Sequence, residues 1–486
     1  MKFQWEYREN NNSSIIQQIK DNRKLTNEFL RASWEDIPDI SLMKDLNKAA
    51  FRIINAVQKK EKIIIFGHDD LDGITATYIL FDFLEKIGSQ SHYYYIPNRL
   101  IENHGIQRNF IEKIKKGKFD LLITVDGGIS SFEAVEEINK LGCDVIITDH
   151  HLVQDKIPQA YAVVNPKQVD CPYPYDMLAG VGVSFFLIQK LADVLNVSYD
   201  KNYLFWVALG SIADKVPLDG VNRILIKKVL DDWSIFDDET LNTLSEYTKF
   251  TRNHTSRMST INNIIKLLSN NRETDGENRA LRLLCTQTEN KKNVVRELEK
   301  DYNNQEKNLL EVKEYINFLI SQNNENQFIF FDKKDKVPIE FLGYSATRIS
   351  KTCRIPAVLL KRKNGIIVCE ARCTEGFNLI ESFNYCKDNL IQYGGHVKAA
   401  GFTATPDKVS QFISCFKKFV EKNKDSIIKN KKIVIDAVLT LDDIENLEEF
   451  IETDFHFLQP FGEGNPLPVY LLKNGCPEND FRKINL

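Results

Sequence analysis

Residues 63–76 read IIIFGHDDLDGITA: four apolar residues, then His68, Asp69, Asp70 and Asp72, then Gly73. A short apolar run of this kind is expected to form a fully buried strand, with the polar residues falling where the strand ends. In parallel sheets that end is where ligands bind. Three carboxylates beside one imidazole repel strongly unless a cation sits among them. The stretch therefore predicts a buried strand leading into a metal site, to be completed by ligands from elsewhere in the chain.

From Lys59 onward, strand and helix patterns alternate. Ile63–Phe66 is followed by a helical pattern over 75–86, a strand at 92–96 and a helix at 109–116. Then come a buried strand at Leu121–Val125, a helix near 132–141 and a strand at Asp144–Thr148. This alternation predicts an α/β fold with a doubly wound parallel sheet. Before it, residues 1–55 read as short helices broken by Asn-rich stretches and Pro38. Between Gly276 and Gly343 there is no glycine. Val294, Leu298, Leu309, Val312, Ile316 and Ile320 follow helical spacing there, predicting a long helix that ends in NNENQ at 323–327 and packs its apolar stripe against its own domains. A second α/β segment follows from residue 328.

Three buried runs end in ligand-type residues. IIIF leads to His68, Asp70 and Asp72; LLITV leads to Asp126, Gly127 and Gly128; DVIIT leads to Asp149, His150 and His151. Asp-Gly-Gly alone reads as a turn, but parallel strands share one carboxyl edge, so the three sets converge on it. Carboxylates and imidazoles without thiolates suit Mn²⁺ or Mg²⁺. More than four candidate ligands predict two divalent cations, bridged by a shared carboxylate.

A chain of 486 residues suggests roughly three domains. Its 43% hydrophobic and 27% charged content is that of an ordinary soluble protein, and the net charge of −4 neither demands nor excludes a nucleic-acid partner. The nine cysteines form no CxxC pair, which favours a reduced intracellular protein over a disulfide framework. The opening residues lack the apolar core of a signal peptide, and no uncharged apolar run approaches about 18 residues. A cytoplasmic location without membrane contact is expected.

HDDLDG, VDGG, TDHH and GSIADKVPLDGVNR resemble the four motifs of the DHH phosphoesterase superfamily. FLRASWEDIPDISLMKDLNKAAFRI, YYYIPNRLIENHGI and VVNPKQVDCPYPYDMLAGVGVSFFL narrow the resemblance to RecJ-like single-strand exonucleases, over about residues 22–468. The GVGVSF stretch alone is only a weak phosphate-loop signal. The resemblance implies that His68, Asp70 and Asp126 hold one ion. Asp72, Asp126, His150 and Asp214 would hold the second, with Asp126 bridging. Asp149 would orient a histidine, and His151 would face the scissile phosphate. LGYSATRISKTCRIPAVLL, ARCTEGFNL and YGGHVKAAGFT resemble the DHH-associated domain. That domain implies a smaller α/β lobe across a groove from the metals. In it Gly394 and Gly395 would offer N–H groups to a phosphate and His396 would approach the leaving group. Arg348 and Arg372, with Arg99 as a weaker candidate, would clamp phosphates. Tyr93–Tyr95 are able to stack bases, although alternation makes them core or sheet-surface residues first.

The implied activity is hydrolysis of single-stranded DNA, 5′ to 3′, in repair or recombination. The protein would be a monomer whose partners are repair or replication proteins. Two other readings stay open: a phosphodiesterase for short oligonucleotides or cyclic dinucleotides, and a replication or repair scaffold without catalysis. The expected organisation is an N-terminal helical segment (1–55), a DHH catalytic domain (56–235), a helical connector with the long helix (236–327), a DHH-associated substrate-binding domain (328–427) and a partial OB-fold-like segment (428–486). Two departures stand out. Bacterial RecJ typically opens its first motif with Asp-Tyr-Asp, where this chain has His68, Asp69 and Asp70. The last segment also looks too short for the roughly five strands of an OB-fold, so a reduced handhold on DNA is expected.

Overall fold

Helices on both faces of a parallel sheet account for the apolar runs. The computed structural model describes residues 4–6, 14–98, 102, 105–153, 156–248, 254–269, 278–285, 288–322, 328–373, 376–395, 397–423, 432–439 and 455–472. After β1 (Gln4–Glu6), α1 (Ile15–Arg23), α2 (Asn27–Arg31) and α3 (Leu46–Gln58), the order is β2 (Ile63–Phe66), α4 (Leu71–Lys86), β3 (His92–Tyr95), α5 (Arg108–Gly117), β4 (Leu121–Val125), α6 (Phe132–Lys140), β5 (Asp144–Thr148) and β6 (Ala162–Val164). The sheet order is β3-β2-β4-β5-β6 and every pairing is parallel.

Strand β2 is buried along its whole length because its alternate side chains enter two different cores. Ile63 and Ile65 join the core lined by α4 and the later helices, whereas Ile64 and Phe66 join the one lined by Phe110, Ile111 and Ile114 of α5. Each such side chain contributes about 1.5–3 kcal/mol by leaving water. Strands β2, β4 and β5 have the bounds expected from sequence. Helix α4 begins at Leu71 rather than 75, because Asp70 is its N-cap and Asp72 lies in its first turn. Acidic residues are favoured at that positive end of a helix. The acidic motif is therefore a helix start, not a loop.

Helices α7 (Gly180–Leu195), α8 (Tyr203–Asp214) and α9 (Gly220–Asp231) follow, then α10 (Glu239–Thr248), α11 (His254–Leu268), α12 (Arg279–Cys285) and α13 (Thr288–Ser321). At 34 residues, α13 is about 50 Å long.

The chain divides into two compact units. The larger comprises Glu9–Tyr302 and Asp436–Leu486, and the smaller Met1–Arg8 and Asn303–Ile435. Val294, Val295 and Leu298 of α13 belong to the larger unit's core, and Val312 and Ile316 to the smaller unit's; residues 303–311 between them include none that is fully buried. The apolar stripe thus packs within the chain's own units.

The smaller unit carries β7 (Ile329–Phe331), α14 (Leu342–Cys353), β8 (Ala357–Lys363), β9 (Ile366–Arg372), α15 (Leu379–Tyr385), β10 (Gln392–Gly395), β11 (Ala399–Ala404), α16 (Val409–Lys422) and β12 (Lys432–Val434). Its five-stranded sheet, in the order β10-β11-β9-β8-β7, is antiparallel except for β7 with β8. A disulfide joins Cys386 to Cys415, with Cα atoms 5.8 Å apart. The scattered cysteine spacing favours a reduced protein over a disulfide framework and gives no sign of this pair. The pairing arises because α15 and α16 pack side by side. In the last segment, β13 (Ala437–Leu439) and β14 (Tyr470–Leu472) pair in parallel and pack with Ile15 and Ile19 of α1; residues 440–454 lie outside the described residues. Among the described residues no helix is long and apolar enough to cross a membrane.

Candidate metal centre

In the β3-β2-β4-β5-β6 order the chain leaves β2 toward β3, then crosses to β4 on the other side. The crevice at that switch point is the expected ligand site of an open α/β sheet. His68, Asp70 and Asp72 follow β2, and Asp126 follows β4, so they flank this crevice. Asp149, His150 and His151 come from the end of β5, and Asp214 from the end of α8.

Asp126 is the centre of the arrangement. It is buried and takes a left-handed backbone (φ +54°), an uncommon conformation for a non-glycine residue and typical of functional sites. One carboxylate oxygen is 3.1 Å from His150 Nε2, and the other is 3.8 Å from His68 Nδ1. His68 Nδ1 is also 2.9 Å from Asp70. His150 Nε2 lies 3.7 Å from Asp72 and 3.8 Å from Asp214. The ligand-type atoms gather into three overlapping groups: His68, Asp70 and Asp126; Asp72, His150 and Asp214; and Asp126, His150 and His151.

A divalent cation fits these residues. Asp126 Oδ1 and both ring nitrogens of His150 are buried without hydrogen-bond partners, and buried polar atoms are rarely left so. Oxygen and imidazole donors without sulfur suit Mn²⁺ or Mg²⁺. Burial pushes Asp72 and Asp214 up to about 7, with further repulsion from Asp70 on the first and Asp72 on the second. Burial and the neighbouring carboxylates of Asp72, Asp70, Asp149 and Asp214 push Asp126 well above the usual range. For Asp70, burial acts upward but the hydrogen bond and charge of His68 prevail, holding it below the usual range. Such crowding of acids is relieved by a cation.

Two further features position the ligands. Asp72 accepts hydrogen bonds from the N–H groups of Gly180 and Val181, both at 2.7 Å, so its charge sits at the N-terminus of α7. A Cβ on Gly180 would lie 2.6 Å from Asp126 Cβ, which is why glycine stands there. The GVGVSF stretch is thus an anion cradle already filled by the protein's own Asp72. Its partner lies 108 residues away in sequence, so no local pattern revealed it. Asp149 is fully buried and accepts from the N–H groups of Ile129, His150 and His151 and from the His151 ring at 2.8 Å. It therefore orients His151, which stays half-exposed, rather than His150. The hydrogen bond to Asp149 also raises the basicity of His151. Asp69, together with Leu71, Asp72, Asp214, Lys215 and Ser269, lines a cavity of about 280 Å³; the sequence did not single out Lys215 or Ser269.

In the smaller unit, Arg372 ends β9 opposite Ala399, and Gly395 faces Ala400, so Arg372 and the Gly394–Gly395 end of β10 share one end of the sheet. Gly395 has φ +131° and its Cβ would meet the Ala399 carbonyl oxygen at 2.5 Å, while Gly394 faces open space. Arg372 donates to Glu370 and to the Ala371 carbonyl, both at 2.8 Å, and Arg348 donates to Asn317 on α13 at 2.9 Å. Arg99 and His396 lie outside the described residues. Tyr93 and Tyr94 are exposed on the edge strand β3, while Tyr95 packs against Phe66 and Phe110.

Residues 62–211 match the model of the DHH family, N-terminal domain. The single-stranded-DNA-specific exonuclease RecJ of Bacillus subtilis is 30% identical over 459 residues, covering 94% of this chain and 57% of the relative. The RecJ of Thermus thermophilus is 29% identical over 448 residues, covering 91% and 64%. The chain thus spans less than two thirds of the length of these curated relatives. Among solved structures, Thermus thermophilus RecJ in complex with Mn²⁺ superposes with a TM-score of 0.74 at 24% identity, covering 94% of this chain and 66% of that one. An exonuclease RecJ bound to manganese superposes at 0.65 with 26% identity, covering 78% and 95%. Both show the same fold.

Proposed function

From a chain that carries the DHH family N-terminal domain and is RecJ-like along nearly all of its length, we propose a metal-dependent exonuclease for single-stranded DNA. The observation that carries the proposal is the convergence of His68, Asp70, Asp72, Asp126, His150 and Asp214 at the sheet's switch point, with Asp126 Oδ1 and the His150 ring nitrogens buried without hydrogen-bond partners. His68, Asp70 and Asp126 would hold one ion, and Asp72, Asp126, His150 and Asp214 the other, with Asp126 shared. When bound there, Mn²⁺ or Mg²⁺ would supply Lewis acidity for the attacking water and charge to offset that on the phosphate. The chain's own residues do the rest. Asp149 holds His151 with one ring nitrogen turned away from it, so the exposed side of the ring meets the scissile phosphate. Arg372, Gly394 and Gly395 bind phosphate by guanidinium and backbone N–H contacts. Arg348 gives weaker help, and Arg99 and His396 are assigned by resemblance alone.

The 5′ to 3′ polarity, the role in repair or recombination, protein partners from those pathways, a monomeric state and a cytoplasmic location complete the reading. So does the division at 55, 235, 327 and 427. The test is a nuclease assay with end-labelled single strands of several lengths in Mn²⁺ or Mg²⁺. Progressive shortening of long strands supports the proposal. Preference for dimers to pentamers turns it toward an oligonucleotide phosphodiesterase, and no hydrolysis of any substrate points to a scaffold.

A further inference from the structure

Asp72 is fixed by two amides, but for the Asp214 carboxylate the structure gives no hydrogen bond among the described residues, only the His150 ring at 3.8 Å; Asp214 is the last residue of α8. That is the negative end of the helix, where a carboxylate gains nothing from the dipole. The turn that follows is clamped from outside by a stretch far away in sequence. Lys215 takes φ +63° and redirects the chain, and Val216 and Leu218 are buried. The Leu218 N–H donates to the Glu463 carbonyl at 2.8 Å. A Cβ on Gly462 would come within 2.6 Å of Leu218 Cδ1, and one on Gly464 within 3.4 Å of Pro217 Cβ, so the loop lies flush on the turn. From within, Asn222 Nδ2 holds the Pro217 carbonyl at 3.0 Å and the Met177 carbonyl at 2.6 Å.

The loop is itself locked by Asn465, which is 2% exposed. Its amide nitrogen donates to the Leu458 and Pro460 carbonyls at 2.7 and 2.8 Å, and its oxygen accepts from Arg23 at 3.0 Å. Arg23 also forms a two-pronged pair with Asp436 at 2.7 and 2.9 Å. Arg223, next to Asn222 on α9, is fully buried with no carboxylate partner among its hydrogen bonds. It donates to the carbonyls of Phe29 at 2.7 Å, Phe457 at 2.6 Å and Leu458 at 3.4 Å. Burying a charge on carbonyls and the Phe29 ring is costly, and here it pins residues 457–458 against the helix that follows the Asp214 turn.

We infer that Asn465 is a positioning residue for Asp214, acting through the loop 459–466 and the turn 215–219. The inference rests on the metal reading proposed above. Partners of this outer kind typically change metal affinity 10–100-fold when removed.

The test measures Mn²⁺ uptake by the full chain, by calorimetry and by the electron paramagnetic resonance of free Mn²⁺, alongside circular dichroism. Wild type is expected to take up two ions. Asn465→Ala is expected to weaken one of them by about tenfold and leave the other unchanged. Gly462→Val keeps Asn465 and drives a branched side chain onto Leu218. It is read in place of Asn465→Ala if that variant does not fold, with the same expected split. Folded variants with two wild-type affinities overturn the positioning role while leaving the metal reading intact. A general loss of stability with both affinities lowered equally also overturns it, because it shows a purely structural role. A folded wild type that takes up no second ion overturns both.

Discussion

Asp126 Oδ1 and both ring nitrogens of His150 are buried without hydrogen-bond partners, whereas Arg348 and Arg372 in the smaller unit are already bonded to Asn317 and to Glu370. The first region holds its geometry through surrounding elements, with Asp126 Oδ1 and the His150 ring nitrogens turned toward one another and toward the place a ligand would occupy. In the second, both arginines have protein partners, which they would have to exchange to take a phosphate. Substitutions should therefore cost most at the first region and least at the second.

The largest effect is expected for Asp126→Ala, which removes the oxygens facing both His68 and His150. Hydrolysis should fall by on the order of 10³ or more, with loss of both bound ions; near-normal rates would break the contrast at its centre. Next is Asp149→Asn, which keeps the shape but not the charge that holds His151. A fall in kcat of about 10–100-fold is expected with KM and ion uptake little changed; an equal loss in binding would show that Asp149 serves the ions instead. Arg372→Ala should raise KM by roughly tenfold, since a hydrogen bond to a charged group is worth about 1.5–3 kcal/mol. Arg348→Ala should raise it less, because Arg348 lies on α14 and not at the sheet end that Arg372 shares with Gly394 and Gly395. The reverse order would show that the Arg348 contact with Asn317 opens on substrate binding.

The smallest effect is on the stability of the metal-free protein. Burial raises Asp72 and Asp214 to about 7, against about 3.9 in an unfolded chain. The folded state then binds more protons than the unfolded state between those values, so the burial penalty is absent below the lower one and complete above the upper one. With chelator present, lowering the pH from 8 to 6 should raise the melting temperature, at about 2–4 °C per kcal/mol. Mn²⁺ at pH 8 should raise it as well. Scanning fluorimetry reads both, and a fall on acidification without metal would show that the acidic centre is not the group that titrates.

Much of the larger unit was legible because its signals are local. Three strands, β2, β4 and β5, are mostly apolar runs followed directly by polar, ligand-type residues, and a parallel sheet then brings those ends together. The start of α4 was obscured because Asp70 and Asp72 serve both as helix start and as candidate ligands. β6 is three residues long and gave no pattern. What remained unreadable is long-range. The α7 amides that hold Asp72, the pairing of Cys386 with Cys415, and the grip of Glu463 on Leu218 each join residues with no relation in the sequence. The arginines were found from resemblance, but their present partners, Asn317 and Glu370, belong to packing that no motif records.

The larger unit is interrupted in sequence by the smaller one, since its last portion begins only at Asp436. On the ribosome, the turn after Asp214 is made long before the residue that closes on it. At about 5–20 residues per second, Glu463 emerges roughly ten to fifty seconds after Leu218. A nascent chain therefore carries every candidate ligand from His68 to Asp214 for that interval while the last of them is still unclamped. Synthesis itself delays the closing of residues 459–466 over the turn that carries Asp214.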